Sequence, residues 1–391
     1  MFFLVRFIKY NTFRGVLNSS LRGRGCFSAF FNTFNRCALA ALAAVTAASA
    51  QSSVTISGLV RAGFQKDISL TVANPVLVKA TSAAPGAAGA AVAAGNGLST
   101  HDININFGAV EDLGGGLKAS FFQNLETDPQ RGAALTRADS GLDLAGGFGT
   151  VGYRNTRQSD LIAGIASSAI NMADGLYHSS GIVTRGTGID TLAYTSPAIM
   201  PGLNLSATYV EGNDGQISLG TTNKTSVVLG AAYTNGPLAV RGAYKMKPAN
   251  AVASSGLTQK ANMELAVVYD LGIAKVGVAY DAASASGAST AAAPSATATT
   301  ANSALTAAQA QTLANLLTKS ATGFTLHVPM GAVSLGLGYY TRGDQTVTEF
   351  GARYDLSKRT YLSAATGKKA GLFNADGFQG SQYRVAMSHT F

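Results

Sequence analysis

Ser381-Gln-Tyr-Arg-Val-Ala-Met-Ser-His-Thr-Phe391 closes the chain, and its alternation decides the fold class. Successive side chains of a strand point to opposite faces. Tyr383, Val385, Met387, His389 and Phe391 therefore share one face, and Gln382, Arg384, Ala386, Ser388 and Thr390 the other. The last residue is aromatic and no tail follows it. In water, an open strand edge with one apolar face invites aggregation. In a closed barrel within a membrane, the last strand pairs with the first and the apolar face meets lipid. The expectation is an all-β, transmembrane antiparallel β-barrel.

Composition agrees. Hydrophobic residues make up 47% of the 391 and charged residues only 13%, an unusual balance for a soluble secreted enzyme. No segment reaches eighteen consecutive apolar residues, so no spanning helix is expected. A chain apolar enough for a membrane yet lacking membrane helices is left with the barrel.

The first fifty residues read separately. They hold no acid and six bases, Arg6, Lys9, Arg14, Arg22, Arg24 and Arg36. The apolar run from Ala38 to Ala48 is too short to span a bilayer. Ala48-Ser-Ala50 supplies an A-x-A processing site before Gln51. The pattern predicts a cleaved signal peptide over 1–50, with an over-long extension upstream of about Arg36, and export of 51–391 as the barrel domain. An organellar presequence is the alternative for an acid-free leader with Arg and Ser. Both cysteines, Cys26 and Cys37, fall in the leader, so disulfides and thiolate metal sites are excluded from 51–391. Taking six bases from 29 leaves 23 against 20 acids, a net charge of +3 rather than +9. That balance gives no nucleic-acid footprint.

Alternation predicts sixteen strands, at 54–64, 101–110, 117–127, 135–145, 149–156, 189–195, 203–211, 223–234, 238–247, 261–270, 274–282, 321–328, 333–341, 345–354, 359–368 and 381–391. An even number suits an antiparallel barrel closed from one bacterial chain. Tight turns read at Glu111-Asp-Leu-Gly-Gly-Gly116, Gly146-Gly-Phe-Gly149, Asn235-Gly-Pro237, Asp270-Leu-Gly272 and Asp355-Leu-Ser357, where Gly, Asn and Pro set the backbone. Long connections at 67–100 and 282–320 are rich in Ala, Gly, Ser and Thr, and a third runs over 157–188. Strict alternation of short and long connections is expected. Leu305, Leu313, Leu316 and Leu317 have spacing compatible with a short helix over 302–318 in an exterior loop. A secreted solenoid or adhesin would also have many short strands, but no fixed repeat period occurs.

Five motifs, taken in order, carry a family resemblance: Ser53-Val-Thr-Ile-Ser-Gly58, Glu111-Asp-Leu-Gly-Gly-Gly-Leu-Lys-Ala119, Gly146-Gly-Phe-Gly-Thr-Val151, Tyr194-Thr-Ser-Pro197 and Tyr354-Asp-Leu-Ser-Lys-Arg-Thr360. Together they resemble the general porins of beta-proteobacteria, over nearly all of 51–391. The resemblance implies a sixteen-stranded homotrimeric barrel in the outer membrane, whose third loop folds inward and narrows the lumen. It also implies passive passage of small hydrophilic solutes and ions, contact with membrane lipid and lipopolysaccharide, and insertion by the barrel-assembly machinery. That machinery reads a terminal Phe with spaced apolar residues, here Phe391, Met387, Val385 and Tyr383. The chain departs from the family in its Ala-rich loops and in Arg154, which stands where many relatives carry a small residue.

No catalytic constellation is legible. His101, His178, His327 and His389 are far apart and lack ligand-spaced carboxylates, so no metal and no cofactor is expected. Gly336-Leu-Gly338 precedes no helix pattern, and no Gly-x-Ser-x-Gly elbow occurs. The chemistry left is electrostatic. Strand parity places Arg61, Arg137 and Arg154 on the lumen side. At roughly 2.5 Å of height per residue they stand about 18, 20–23 and 10–13 Å above the turn end. They form either a basic ladder at the constriction or solvated wall charge. Asp160 and Asp174, in the loop at 157–188, either face these bases across the narrowest point or brace the loop itself. Three wall bases against two loop acids predict a mild anion preference. A substrate-selective channel is the alternative within the same fold. A barrel enzyme, the alternative from another class, would need a nucleophile–base pair.

Overall fold

The computed structural model describes residues 52–68, 97–127, 136–156, 161–168, 189–211, 226–246, 257–287, 316–371 and 380–391. The expected leader lies outside the described residues. In chain order the strands are β1 (Ser53–Ile68), β2 (Gly97–Gly114), β3 (Leu117–Thr127), β4 (Thr136–Gly146), β5 (Gly149–Thr156), β6 (Ile189–Thr195), β7 (Leu203–Val210), β8 (Ser226–Asn235), β9 (Leu238–Met246), β10 (Thr258–Gln259), β11 (Asn262–Asp270), β12 (Lys275–Asp281), β13 (Ala285–Ser286), β14 (Ala321–Met330), β15 (Val333–Arg342), β16 (Gln345–Asp355), β17 (Thr360–Ala370) and β18 (Gly380–Thr390). One helix, α1 (Leu161–Ser168), lies between β5 and β6. β10 and β13 form a small ladder of their own. The other sixteen strands close into an antiparallel barrel, with β18 paired to β1.

The closing seam follows from the alternation of the last strand. Val60 pairs with His389, Ala62 with Met387, Phe64 with Val385 and Lys66 with Tyr383. Arg384, Ala386 and Ser388 are buried, whereas Val385, Met387 and Phe391 are exposed. That is the reverse of a soluble sheet, and it recurs around the barrel. In β11, Asn262, Glu264 and Ala266 are buried while Met263 and Leu265 are exposed. Polar side chains thus point inward and large apolar ones point outward to meet lipid. No helix among the described residues is long and apolar enough to cross a membrane.

One end of the barrel carries the tight turns. Asp112 and Asp270 each accept a 2.9 Å hydrogen bond from the amide two residues on, at Gly114 and Gly272, which is the Asx-turn geometry. The other end carries the longer connections, with one departure from strict alternation. β15 and β16 are joined there by Gly343 and Asp344 alone. Gly343 takes φ +61°, a left-handed conformation that a side chain resists.

All sixteen expected strands are present, with shifted ends. β2 begins at Gly97, paired to Gln65, and passes a register shift between Arg61 and Ala62, so the expected loop at 67–100 contracts. The helix expected over 302–318 falls mostly outside the described residues; its last leucines, Leu316 and Leu317, are buried. The β10–β13 ladder has no counterpart in the sequence reading.

Candidate functional site: the lumen and its inward helix

The chain leaves β5, and α1 reappears against the inner wall at β11, β12 and β14. In the ring of sixteen these strands stand five, six and seven places from β5. β5 and the seat of α1 therefore lie on opposite sides of the lumen.

Three local features hold α1 there. The first is an apolar seat inside an otherwise polar wall. Ile162 and Ile165 are fully buried against Ala266, Ala279, Ala321, Tyr340 and Val347. Their i, i+3 spacing puts both on one helix face. Burying two such side chains contributes about 3–6 kcal/mol. The second is the absence of side chains beneath them. A Cβ on Gly323 would lie 3.0 Å from Ile162 Cγ2 and 3.1 Å from Ile165 Cδ1, and one on Gly277 would lie 3.1 Å from Ile165 Cβ. The third is polar anchoring. The Leu161 amide donates to Glu264 Oε2 at 3.2 Å, placing a carboxylate at the positive end of the helix dipole. Glu264 Oε1 also lies 2.5 Å from Lys245 Nζ. At the helix's far side the Thr325 hydroxyl donates to the Ile165 carbonyl at 3.3 Å.

Around this seat the lumen wall is lined with ion pairs, most between neighbouring strands, one across an intervening strand and one within a strand. Arg61 pairs with Asp102 across β1 and β2, and its Nε donates to Ser388 Oγ at 3.4 Å. Arg154 grips Asp143 with two hydrogen bonds, Nε to Oδ1 at 2.9 Å and Nη2 to Oδ2 at 3.0 Å. Gly152 leaves the space this fork needs, because a Cβ there would collide with Asp143 Oδ1. Arg342 pairs with Asp281, which also accepts from Asn262 Nδ2 at 2.8 Å. Arg353 binds Asp355 at 2.6 Å while lying 3.8 Å over the Tyr361 ring. Lys275 stands 3.5 Å from Asp270.

Arg61 and Arg154, both expected on the lumen side, are there, and each has a wall acid beside it. Asp160 and Asp174 lie outside the described residues, as does the side chain of Arg137. The β4 backbone pairs Ser140 with Gln123 and Arg137 with Leu125, with a register shift between. The alternation that carries Gly141 and Asp143 inward therefore does not run unbroken to Arg137. Of the histidines, His327 is buried in β14, and His389 Nδ1 lies 2.8 Å from Thr360 Oγ1. No group of three potential metal-ligating side chains occurs among the described residues.

Sequence reading passed over Glu264, Lys245, Asp281 and Arg342. Their signal is an ionisable residue at an inward position of an apolar strand, as in Met263-Glu-Leu-Ala266. A buried charge in such a place needs a partner. Which partner it takes depends on the register between strands, which the strand's own alternation does not specify.

Comparison with known proteins matches the architecture. Solved structures with this fold include an anion-selective porin from Comamonas acidovorans, at 18% identity and TM-score 0.53, covering 87% of this chain and all of that one. A mutant Rh. blastica porin aligns at 14% identity and TM-score 0.54 over the same shares. At these identities the likeness concerns the fold. Comparison with curated proteins finds no match. The family model for Gram-negative porins matches residues 38–370, most of the chain. With a closed barrel, an outward apolar face and a helix seated across a charged lumen, the chain belongs to the Gram-negative porin family and is an outer-membrane porin.

Proposed function

We propose that this porin is a passive, water-filled channel for small hydrophilic solutes and ions, working as a homotrimer after cleavage of a leader at Ala48-Ser-Ala50. The observation that carries this reading is the seat of α1: an apolar anchor fixes the inward segment while charged wall residues surround it. Loops at the long-connection end face the exterior in this reading, and the tight turns face the periplasm. The outward apolar band contacts membrane lipid and lipopolysaccharide, and the barrel-assembly machinery reads the outward positions Tyr383, Val385, Met387 and Phe391.

A mild anion preference belongs to the same proposal. Arg61 and Arg154 form its wall, with Asp160 and Asp174 opposite on the inward loop. Wall pairing of Arg61 and Arg154 with Asp102 and Asp143 keeps the preference mild. Arg241 on β9 adds to it. It faces the lumen by register with Ala266, is exposed, and has no acid in ion-pair distance among the described residues.

Planar-bilayer recording on the purified protein tests the reading. Conductance should rise in proportion to bulk salt, and the reversal potential across a salt gradient should indicate anions. Saturation by one solute would replace it with a substrate-selective channel.

A further inference from the structure

A glycine inside a strand gives up packing, and one reason to keep it is that something approaches the backbone there. The wall from β1 to β5 carries two such positions in one inward row. Thr55, Gly108, Phe122, Gly141 and Arg154 stand opposite one another in turn across these five strands. Phe122 thus has a glycine on each side, and the two sides differ. Toward β4 the ring leans over Gly141, where a Cβ would lie 2.8 Å from Phe122 Cζ and 2.9 Å from Arg154 Cγ. Toward β2, a Cβ on Gly108 would meet only the Phe121 carbonyl oxygen, 4.0 Å away, among the described residues. The ring is braced beside the Arg154 stem and stands over an open depression floored by Gly108.

Uncharged polar side chains flank this depression. Asn106 pairs with Asn124 one inward row nearer the loop end, and Val110 pairs with Ser120 one row nearer the turns. Asn106, Ser120, Phe122 and Asn124 are all half-buried, whereas Phe121 is exposed on the outward face. Each amide side chain both donates and accepts hydrogen bonds, as does the Ser120 hydroxyl. Asp143 already holds Arg154 in a two-bond fork, so the cation beside the ring is matched.

The depression faces α1. β3 stands eight places from β12 in the ring of sixteen, on the far side of the lumen from the helix. At roughly 2.5 Å of height per residue, Phe122 lies about 12 Å above the turn end. Gly277 and Gly323, the glycines beneath α1, lie at about 5 Å and about 18 Å on the same scale. A solute that passes α1 therefore passes the ring.

The chemistry that fits is a pyranose. One face of a sugar ring presents C–H groups, whose partial positive charge an aromatic face attracts. Its rim presents neighbouring hydroxyls, each donor and acceptor, which an amide matches at both ends. We infer that Phe122, Gly108, Asn106 and Asn124 form a weak carbohydrate subsite in the lumen wall. A pyranose ring stacks on Phe122 over Gly108, while the two amides and Ser120 bond its hydroxyls. The inference deepens the channel reading above and rests on it. The subsite reads ring shape rather than one sugar, so pyranoses linger as a class while ions pass.

The test uses the full-length porin in planar bilayers. Maltose and lactose are added at fixed salt, with sorbitol, an open-chain polyol, at matched concentration to correct for viscosity. In wild type both sugars should reduce the ion current saturably and beyond the sorbitol level. Phe122→Ala should raise the half-blocking concentration about 3- to 10-fold. Gly108→Val, which fills the depression, should raise it to a similar extent, and Phe122→Trp, a larger platform, should not raise it. The alanine and valine substitutions act from different strands, so either one decides if the other fails to assemble. Block as in wild type by both overturns the subsite. So does a current that sugars reduce no more than sorbitol does. Block by benzoate in place of the sugars overturns it too, and would make the ring a site for aromatic acids. Saturation-transfer NMR from the detergent-solubilised porin to the sugar ring protons reads binding without conduction. Transfer that is lost in Phe122→Ala supports the subsite. A sugar-free current that fails to follow bulk salt would overturn the channel reading and leave that result standing.

Discussion

The Phe391 ring lies over Gly58, and the two residues exchange both backbone hydrogen bonds, each 3.1 Å long. A Cβ on Gly58 would lie 2.8 Å from Phe391 Cε1 and would collide with the Asn104 carbonyl. Gly58 is thus a slot between β2 and the end of β18 that admits the ring. The contact adds one rung beyond the ladder from Leu59–Thr390 to Ile68–Ser381. The residue proposed as an assembly signal is therefore also part of the seam that removes the barrel's open edges.

The seam predicts two distinct defects. Deleting Phe391, or Phe391→Asp, should remove both the signal and the rung, leaving exported but unassembled chain. Gly58→Leu keeps the signal but fills the slot with backbone on one side, so assembly should begin and the closed barrel should be less stable by several kcal/mol, within about 3–5. Heat-modifiability on gels, together with membrane fractionation, separates the two. Normal heat-resistant barrels from both variants would contradict the seam argument.

The barrel was legible because its signal is the period-two alternation itself, written again at every strand from Val54-Thr-Ile-Ser to Val385-Ala-Met. The lumen was legible in part. Parity placed Arg61 and Arg154 inward, but the folded register alone sets Asp102 opposite Arg61 and Asp143 opposite Gly152, diagonal to Arg154. One shifted residue exchanges every partner and every face, which is also why parity cannot be carried through the β4 irregularity to Arg137. The α1 seat was the least visible. Gly277 and Gly323 look like ordinary strand glycines until Ile162 and Ile165, more than a hundred positions earlier in the chain, come to rest on them.

That seat is testable without harming the barrel. At Gly323 the atoms a Cβ would approach are side chains, Ile162, Tyr340 and Ile165, rather than wall backbone. Gly323→Val should therefore push α1 away and leave the strand pairing intact. Ile165→Ala should weaken docking by about 2–4 kcal/mol through the cavity it leaves. Both should raise single-channel conductance and current noise relative to wild type, with unchanged heat resistance. Equal conductance in all three would mean that α1 does not limit the pore.

Glu264 ties α1 to the wall by holding the Leu161 amide and Lys245 at once. Glu264→Gln keeps a hydrogen-bond acceptor but removes the counter-charge of Lys245. Breaking one side of a buried pair costs about 3–5 kcal/mol, so the single variant should unfold at lower temperature and show more frequent closures. Glu264→Gln with Lys245→Met removes the stranded cation as well, and should regain most of the thermal stability while keeping the noisy current. A double variant no more stable than the single one would show that the pair is not coupled.

Selectivity separates paired from open bases. Arg154 and Arg61 each neutralise a wall acid, so replacing both with alanine does more than delete two cations: it leaves Asp143 and Asp102 facing the lumen without their partners. Arg241→Ala deletes a cation that has no acid in ion-pair distance among the described residues. The Arg61→Ala and Arg154→Ala double variant should thus turn the mild anion preference into a cation preference, whereas Arg241→Ala should only reduce it, by about twofold in permeability ratio. Both shifts should shrink as salt rises, because a charge in the lumen acts over about a Debye length, roughly 8–10 Å near physiological salt. Reversal potentials under a potassium chloride gradient, taken at low and high salt, measure all three proteins in one format. A wild type that prefers cations would remove the wall arginines from the constriction. A double variant indistinguishable from wild type would leave the anion preference to other lumen bases, Arg241 first.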